Sequence, residues 1–294
     1  MDAEEIVYRI FTDATADWNE ELSKEFPQIT VIPMEIMFGT SAYQYGTNEG
    51  ISTEEFYAKL RNGEYASTSQ ITPMVYYDYF SAALEEGFDI LYLCFSSGLS
   101  STYYSALMAS EKAKEDFPDR KVVCIDTLCA AVGEGLLVCE AAKKQMEGME
   151  LQDLALWVEQ YCKRVCHWFV VDSFEHLKHG GRVSGAAAAI GTALNIKPLL
   201  HVTEEGTLQV KEKPRGRKQA IKSLVKKLKE GWTPGVSKQI FVGHGDSLDR
   251  ALELKAAILA EYPAAEVRVM DIGAVIGSHT GPGVLAMIYW GKNR

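Results

Sequence analysis

The sequence predicts an α/β protein of two domains, residues 1–164 and 165–294. In the first range, short apolar runs alternate with helix-like segments, a rhythm that favours a parallel sheet with helices on both faces. From Val165 onward the rhythm changes to short strands, a hairpin and glycine-rich turns, which indicates a second α/β domain. The length of 294 residues supports this division because it is long for a single hydrophobic core.

In the first predicted domain, each element follows from its apolar pattern and its boundary residues. The strands are residues 6–11, 29–36, 90–95 and 121–126, and the helices are residues 18–26, 56–62, 74–86, 103–116, 127–148 and 151–164. Pro33 interrupts the second strand and predicts a sheet edge or a bend. Residues 37–52, which are rich in Tyr, Gly, Thr and Asn, are predicted to be irregular. Gly133 and Gly135 are expected to interrupt the fifth helix.

In the second predicted domain, the strands are residues 168–172, 197–202, 208–211, 240–244, 267–272 and 284–290, and the helices are residues 173–179, 220–230 and 247–262. The strands on either side of residues 204–207 form a hairpin. Residues 186–196 are apolar and rich in small side chains, which suits either a packed helix or an apolar ligand. A packed helix is the more common use of such a face.

The turn at residues 95–104 is the strongest candidate for a binding site. It leads from a buried strand into a helix, so backbone N–H groups face outward at the positive end of the helix dipole. It also carries five hydroxyl groups, Ser97 and Ser100 among them, and no Lys or Arg lies between Arg61 and Lys112. We therefore expect hydroxyls and amides to hold an anion here without a salt bridge, as suits an accessible carboxylate. The alternative is that Ser97 or Ser100 only caps the helix.

A second group of hydroxyls lies in the predicted loop of residues 66–73. Thr72 is explained as a helix cap before Pro73, but Thr68 and Ser69 are not. Right-handed crossovers predict that both hydroxyl groups lie on the same side of the sheet. His279 lies among glycines in a predicted loop between strands, a placement typical of a functional side chain.

Composition excludes several classes of function. The formal charge of −10 argues against nucleic acid as a partner, since neutralising phosphates requires a basic surface. Neither a signal-like first segment nor a membrane-length apolar run is evident, so we expect a cytoplasmic protein. The six cysteines are interpreted as reduced core residues, and Cys162, Cys166 and His167 are discounted as a metal site because no second ligand pair has suitable spacing.

A basic stretch, residues 211–218, stands out in this acidic chain and contains Lys213, Arg215, Arg217 and Lys218. Such a patch is commonly a solvated face. The functional alternative is a docking surface for an acidic or phosphate-bearing partner.

Taken together, seven motifs resemble the DegV family of bacterial lipid-binding proteins, in the family's order and over nearly the whole chain. They are residues 12–17 (TDATAD), 68–70 (TSQ), 96–100 (SSGLS), 180–184 (GGRVS), 195–198 (NIKP), 215–218 (RGRK) and 277–283 (GSHTGPG). Two positions depart from the usual pattern: Ala14 stands where a Ser is usual, and Ser101 where a Gly is usual. Neither departure removes a residue that is a candidate for contacting the carboxylate.

The resemblance implies a two-domain α/β protein that encloses one long-chain fatty acid, such as palmitate, between its domains. It implies no cofactor and no catalysis by the chain alone. Members act as the binding subunit of a bacterial fatty acid kinase and present the carboxylate to a separate ATP-dependent subunit. Carried over by motif, the carboxylate contacts are Thr68, Ser69, Ser97, Ser100, Arg182 and His279. Ile190 and Leu194 would line the acyl tunnel, and Arg215 and Arg217 would meet the kinase subunit.

Two other functions remain possible from the residues alone. A serine hydrolase acting on acyl esters would use Ser97 or Ser100 with His279. However, the chain lacks G-x-S-x-G and shows no acidic partner at a recognisable spacing. A nucleotide binder is disfavoured because the turn at Ser96 lacks both the P-loop lysine and the three-glycine fingerprint.

Overall fold

The computed structural model describes residues 7–47, 50–183 and 195–294, and its strands form three sheets. The strands are β1 Tyr8–Asp13, β2 Ile29–Ile32, β3 Met34–Phe38, β4 Ser41–Tyr45, β5 Ala66–Thr68, β6 Asp89–Cys94, β7 Val122–Asp126, β8 Val165–Val170, β9 Leu199–Val202, β10 Leu208–Glu212, β11 Gln239–His244, β12 Glu266–Asp271 and β13 Leu285–Trp290. The helices are α1 Glu20–Glu25, α2 Thr53–Arg61, α3 Pro73–Glu85, α4 Thr102–Asp116, α5 Val132–Met146, α6 Leu151–Tyr161, α7 Glu175–His179, α8 Arg217–Gly231, α9 Leu248–Glu261 and α10 Ala274–Thr280.

The first sheet has the order β2-β1-β6-β7 and all its pairs are parallel, as predicted. Successive residues of β6 point to opposite faces of the sheet, so each face needs its own apolar cover. Ile90 and Tyr92 pack in a core that includes residues of α3 and α4. Leu91 and Leu93 pack in a core that includes α5 and α6. Helices therefore cover both faces, which confirms the predicted fold class for this part of the chain.

The second sheet has the order β10-β9-β8-β13-β11-β12 and is mixed, since of its pairs only β11 with β12 is parallel. One face, with Phe169 and Ile288, shares the core of α5 and α6 with the first sheet. The other face packs against α8 and α9. The two sheets thus lie on either side of α5 and α6. The predicted hairpin is present as β9 and β10. The division into two domains, residues 1–164 and 165–294, stays a prediction.

The third sheet, β4-β3-β5, was missed by the sequence prediction. Pro33 does end the second strand, and beyond it β3 pairs antiparallel with strands on both sides. Residues 37–38 and 41–45 were therefore wrongly predicted as irregular, and residues 66–68 as loop. The reason is that β4 is polar and mostly exposed and β5 is short, so neither shows a buried pattern. This sheet matters because β5 ends at Thr68.

Helix α5 begins at Val132, later than predicted, and its two glycines lie inside the first turn instead of interrupting the helix. A Cβ on Gly133 would collide with the His167 ring, and one on Gly135 would lie 2.6 Å from the Ala16 carbonyl oxygen. These glycines are explained by close packing. They bring α5 against β8 and against the turn after β1.

The predicted core cysteines are confirmed, because all six are free and all but Cys124 are fully buried. Within residues 7–47, 50–183 and 195–294, no group of three His, Cys, Asp or Glu side chains is arranged to hold a metal ion. No helix in this described part of the chain is long and apolar enough to cross a membrane. The predicted tunnel residues Ile190 and Leu194 lie outside the described residues, so their role stays a prediction.

Candidate functional site

A cavity of about 820 Å³ lies between the carboxyl edge of the first sheet and the α5-facing side of the second. This volume includes the open space at the mouth of the cavity. The first sheet contributes the segments that follow β1, β6 and β7, represented by Thr15, Phe95 and Ala130. The rest of the wall is mostly apolar: Met34, Leu99, Ala131, Phe169, Leu177, Val202, Leu208, Ile272, Val275, Ile276, Val284, Ala286 and Ile288.

The cavity has a polar mouth, and beyond it the wall is mostly apolar. Thr68, Ser100 and Arg182 line both the cavity and an outer depression that opens beside it. From there the wall follows β13, whose lining residues run from Val284 to Ile288, about 13 Å of strand. Because β13 runs away from α10, Ile288 marks the end farthest from the mouth. The shape therefore suits a ligand with one polar end and a long apolar chain.

Thr68 and His279 form the central polar contact of the mouth, although they are 211 residues apart. Thr68 Oγ1 lies 2.9 Å from His279 Nε2, while Nδ1 is buried without a hydrogen-bond partner among the described residues. Burial, with the nearby charges of Arg182 and His179, lowers the pKa of His279 to about 4. The imidazole is therefore neutral at pH 7. We assign its proton to Nε2, where it has an acceptor, which leaves the Thr68 hydroxyl free to donate to a ligand.

Ser100 is the second hydroxyl of the mouth. Its Oγ accepts from the backbone N–H of Thr102 at 3.2 Å and lies 2.7 Å from Thr102 Oγ1. We assign the buried Thr102 hydroxyl as the donor of this pair, and since a hydroxyl has one proton, this leaves the Ser100 proton available to a ligand. Thr68 and Ser100 are then two donors that face the same opening.

Arg182, which the family resemblance places at the carboxylate site, also lies at the mouth, so a cation is present here although the neighbouring sequence carries none. Arg182 lines the opening, with Nε donating to the Leu99 carbonyl oxygen at 3.4 Å and the guanidinium also bound to the Gly180 carbonyl. The search for nearby Lys or Arg in sequence missed it because Arg182 comes 83 residues after Leu99.

Two predicted carboxylate contacts are less well placed. Ser69 is exposed and donates to Glu35 Oε1 at 3.3 Å, and it is not part of the cavity wall. Ser97 lines only the outer depression, where its backbone N–H donates to Asp126 Oδ1 at 3.1 Å. Direct contact with a ligand is therefore better supported for Thr68 and Ser100.

His279 does not lie in a loop, as was predicted, but in the last turn of α10. A Cβ on Gly277 would lie 2.7 Å from both Phe56 Cε1 and Tyr57 Oη, so the glycine allows α10 to pack tightly against α2. The sequence prediction took these glycines as loop residues. The structure shows that Gly277 serves helix packing, which brings His279 to Thr68.

Sequence reasoning also missed two polar residues deeper in the wall, Thr15 and His167. His167 donates from Nδ1 to the Val165 carbonyl oxygen at 2.9 Å and accepts at Nε2 from the Ala130 N–H at 3.3 Å. Burial lowers its pKa well below the usual value, so the ring is neutral. The signal that was available is the period of two in β8, which places His167 on the same face as Phe169.

Thr15 is held by a buried acid network beneath the wall. Its hydroxyl lies 2.5 Å from Asp13 Oδ1 and 2.8 Å from Glu134 Oε2, and Tyr92 donates to Asp13 Oδ2 at 2.5 Å. One hydroxyl proton cannot serve two carboxylates, so one acid must carry a proton. Burial raises the pKa of Glu134 well above its ordinary value, with the Asp13 charge adding to the effect, which assigns the proton to Glu134. The polar capacity of Thr15 is thus used within the protein.

The basic stretch lies away from this cavity wall, and its two arginines differ. Arg217 is engaged within the chain, with nitrogen to oxygen distances of 2.7 Å to both Asp249 and Glu253. Arg215 is exposed, and its backbone pairs with Ile196. Arg215 therefore presents the more available charge.

The mouth lacks the arrangement of a serine hydrolase. His279 Nε2 faces Thr68 instead of Ser97 or Ser100. Among the described residues no carboxylate bonds to Nδ1, which packs against Gly180. A catalytic histidine needs such an acceptor to hold its tautomer and stabilise the imidazolium.

We expect the burial of neutral His279 to make stability fall in acid. The unfolded state takes up a proton near pH 6.5, whereas the folded state does so only near pH 4, so stability present at pH 7 is lost as pH falls through this window. At pH 5 the burial of this histidine should lower the free energy of unfolding by about 2 kcal/mol. Urea unfolding at pH 7 and pH 5 measures the loss. His279→Gln should show a correspondingly smaller difference, and an unchanged difference would contradict the prediction.

Comparisons with known proteins agree on one family. The family model described as "Uncharacterised protein, DegV family" matches residues 8–292. A DegV domain-containing protein of Clostridium perfringens is 38% identical over 285 residues, covering 97% of this chain and 98% of the relative.

Two solved structures are similar throughout. One is a DegV family protein from Thermus thermophilus described for its fatty acid binding, with 32% identity, a TM-score of 0.85, and coverage of 97% of this chain and 99% of that one. The other is DegV of Bacillus subtilis, described as a fatty acid binding protein, with 28% identity, a TM-score of 0.83, and coverage of 98% and 100%.

Proposed function

Because this chain belongs to the DegV family, we propose that it binds one long-chain fatty acid in the cavity, with the carboxylate at the mouth. We further propose that it presents this carboxylate to a separate ATP-dependent kinase subunit. There a carboxylate oxygen attacks the γ-phosphorus of ATP, the bond to the β-phosphate oxygen breaks, and acyl phosphate and ADP form. In this role the chain binds and positions the substrate without catalysing the transfer alone.

The observation that carries the proposal is the distribution of free hydrogen-bonding capacity. In the deep wall, the polar groups of Thr15, His167 and Thr280 are bonded within the protein. At the mouth, the hydroxyls of Thr68 and Ser100 each have a proton left to donate. A carboxylate gains partners only at the mouth, and a hydrocarbon chain meets no unsatisfied group in the depth of the cavity.

The apolar wall is expected to supply most of the affinity. Burying about 16 methylenes at roughly 0.8 kcal/mol each gives on the order of 12 kcal/mol before ordering costs. A neutral hydrogen bond contributes only about 1 kcal/mol. The mouth therefore has mainly to orient the carboxylate, and its position at the outer depression keeps the nucleophilic oxygen within reach of a phosphoryl donor.

The test is the identity of the bound molecule. Protein purified from a bacterial host is denatured, and the released lipid is measured by mass spectrometry. We expect about one fatty acid per chain, exchangeable with added palmitate or oleate. Empty protein that takes up neither would contradict fatty acid binding, and labelling of Ser97 or Ser100 by a fluorophosphonate would favour the hydrolase.

Partner docking is expected to depend on Arg215, because its charge is exposed while that of Arg217 is neutralised by two acids. Arg215→Glu should leave the lipid bound and slow association with the kinase subunit at least several-fold, more so at low salt. Surface plasmon resonance measures the rate. The matched control is Lys24→Glu, the same charge reversal on α1, which should have little effect. Equal rates for the two variants would remove Arg215 from the docking surface.

A further inference from the structure

We infer that Asp17 is a positioning residue for the mouth of the cavity: it fixes the start of α10 and thereby the place of His279 against Thr68. Asp17 does not line the cavity and no sequence motif assigned it a role at the mouth. The inference concerns the geometry of the protein itself. It can be tested whether or not the ligand is a fatty acid.

Asp17 lies at the end of the turn that follows β1 and is only 4% exposed. Its backbone is left-handed, with φ 51°, which turns the side chain toward α10. Oδ1 accepts the backbone N–H of Gly273, the cap residue of α10, at 2.8 Å. Oδ2 is buried without a partner at hydrogen-bond distance among the described residues. A buried, half-satisfied carboxyl is costly, and the contact with Gly273 offsets that cost.

The position of α10 relative to Thr68 depends on noncovalent contacts such as the hydrogen bond between Asp17 and Gly273. Helix α10 connects β12 and β13 of the second sheet, whereas Thr68 ends β5 of the third sheet. Covalent connectivity therefore does not fix the distance between Thr68 and His279. Asp17, which follows the first strand of the first sheet, accepts a hydrogen bond from the cap residue of α10, Gly273. One residue earlier, the Ile272 carbonyl oxygen accepts from Tyr57 Oη at 2.8 Å.

The segment that connects the Asp17 contact to His279 is one short, tightly packed helix. Helix α10 has seven residues, so His279 lies about 9 Å along the axis from Gly273. Gly273 and Gly277 both face aromatic side chains, Tyr45 for the first and Phe56 and Tyr57 for the second, with no room for a Cβ. A shift at Gly273 is therefore transmitted along the helix instead of being absorbed by loose packing.

The turn that carries Asp17 is itself fixed. Asp13 accepts from the backbone N–H of Thr15 at 2.9 Å, and its carboxylate is held by the Thr15 and Tyr92 hydroxyls. The N–H of Val132, at the start of α5, also faces the Asp17 carboxyl. The start of α5, the turn after β1 and the start of α10 thus meet at one side chain, and all three segments contribute to the cavity wall.

The readout is the pKa of His279, measured by NMR titration of the ¹⁵N-histidine-labelled full chain without added ligand, with His279→Gln to assign the signal. Asp17→Ala should raise this pKa by at least one unit from about 4, because α10 moves and water reaches the ring. Asp17→Asn keeps the oxygen that accepts from Gly273 and should leave the pKa within about 0.3 units. Arg182 and His179 are the charged neighbours of the ring and are unchanged in both variants.

The matched control is Arg61→Ala, which removes an ion pair between α2 and Asp246 without touching α10. It should leave the His279 pKa unchanged. The inference is overturned if folded Asp17→Ala keeps the pKa near 4, or if Arg61→Ala raises it equally. Should Asp17→Ala not fold, hydrogen exchange of the unmodified protein decides: a protected Gly273 amide supports the contact, and a freely exchanging one overturns it.

Discussion

Ala286→Phe is expected to lower the affinity for palmitate by at least 100-fold. Ala286 is 4% exposed, lies opposite Phe169 in the β8–β13 pair, and forms part of the cavity wall. A benzyl group added here enters the cavity and closes the part that extends toward Ile288. If about half of the methylenes lose their contacts, roughly 6 kcal/mol is forfeited, so a 100-fold loss allows for considerable adjustment of the wall.

Fluorescent fatty acid displacement and mass spectrometry of the purified protein measure this effect. Overpacking typically costs about 1–3 kcal/mol of stability, so the fold is checked by circular dichroism and thermal unfolding. The control is Ala286→Ser, which adds only one oxygen atom and should retain the lipid. Normal palmitate affinity in a folded Ala286→Phe variant would place the acyl chain elsewhere.

Thr68→Val and Ser100→Ala are each expected to lower acyl phosphate formation by about 10- to 100-fold while changing fatty acid affinity less than 10-fold. The loss of one neutral hydrogen bond costs about 1 kcal/mol in binding. A misplacement of the reacting carboxylate by about 1 Å costs on the order of 100-fold in rate. The variants should therefore separate two roles: apolar contacts with the acyl chain keep the lipid bound, and the hydroxyls orient its carboxylate.

The measurement is kinase-coupled turnover at saturating fatty acid, together with equilibrium binding. Thr30→Val and Ser81→Ala, the same types of change away from the mouth, should behave as the unmodified protein. Two results would refute this division of roles: complete loss of lipid binding in both variants, or full turnover in both.

Parts of the fold were predictable because they depend on local interactions. Thr72 caps α3 by accepting from the Val75 backbone N–H, as was predicted, and Ser52 caps α2 in the same way through the Glu55 N–H. The β9–β10 hairpin was confirmed for the same reason, whereas the parallel first sheet was predicted from the alternation of strands and helices along the chain. The elements that failed, β4 and β5, are short or exposed, so their strand character comes from pairing with β3 and not from their own pattern.

The site was only partly predictable. Thr68, Ser100, Arg182 and His279 were named, by local chemistry or by family resemblance, and the structure brings all four to one opening. The neighbouring sequence alone predicted His279 in a loop and showed no Lys or Arg close to Ser100. Thr15 and His167 were not identified as wall residues. The strand pattern shows on which face of a sheet a polar residue lies, but it does not show whether that face borders a cavity.

The sequence by itself determined the α/β class and the family. Backbone periodicity, capping side chains and short motifs decide these properties, and all of them act within a few residues. Only the tertiary structure decided that Thr68 meets His279 across 211 residues, that Arg182 reaches the Leu99 turn, and that the space between the sheets is hollow. These features depend on how separate elements pack, and packing is a property of the whole chain.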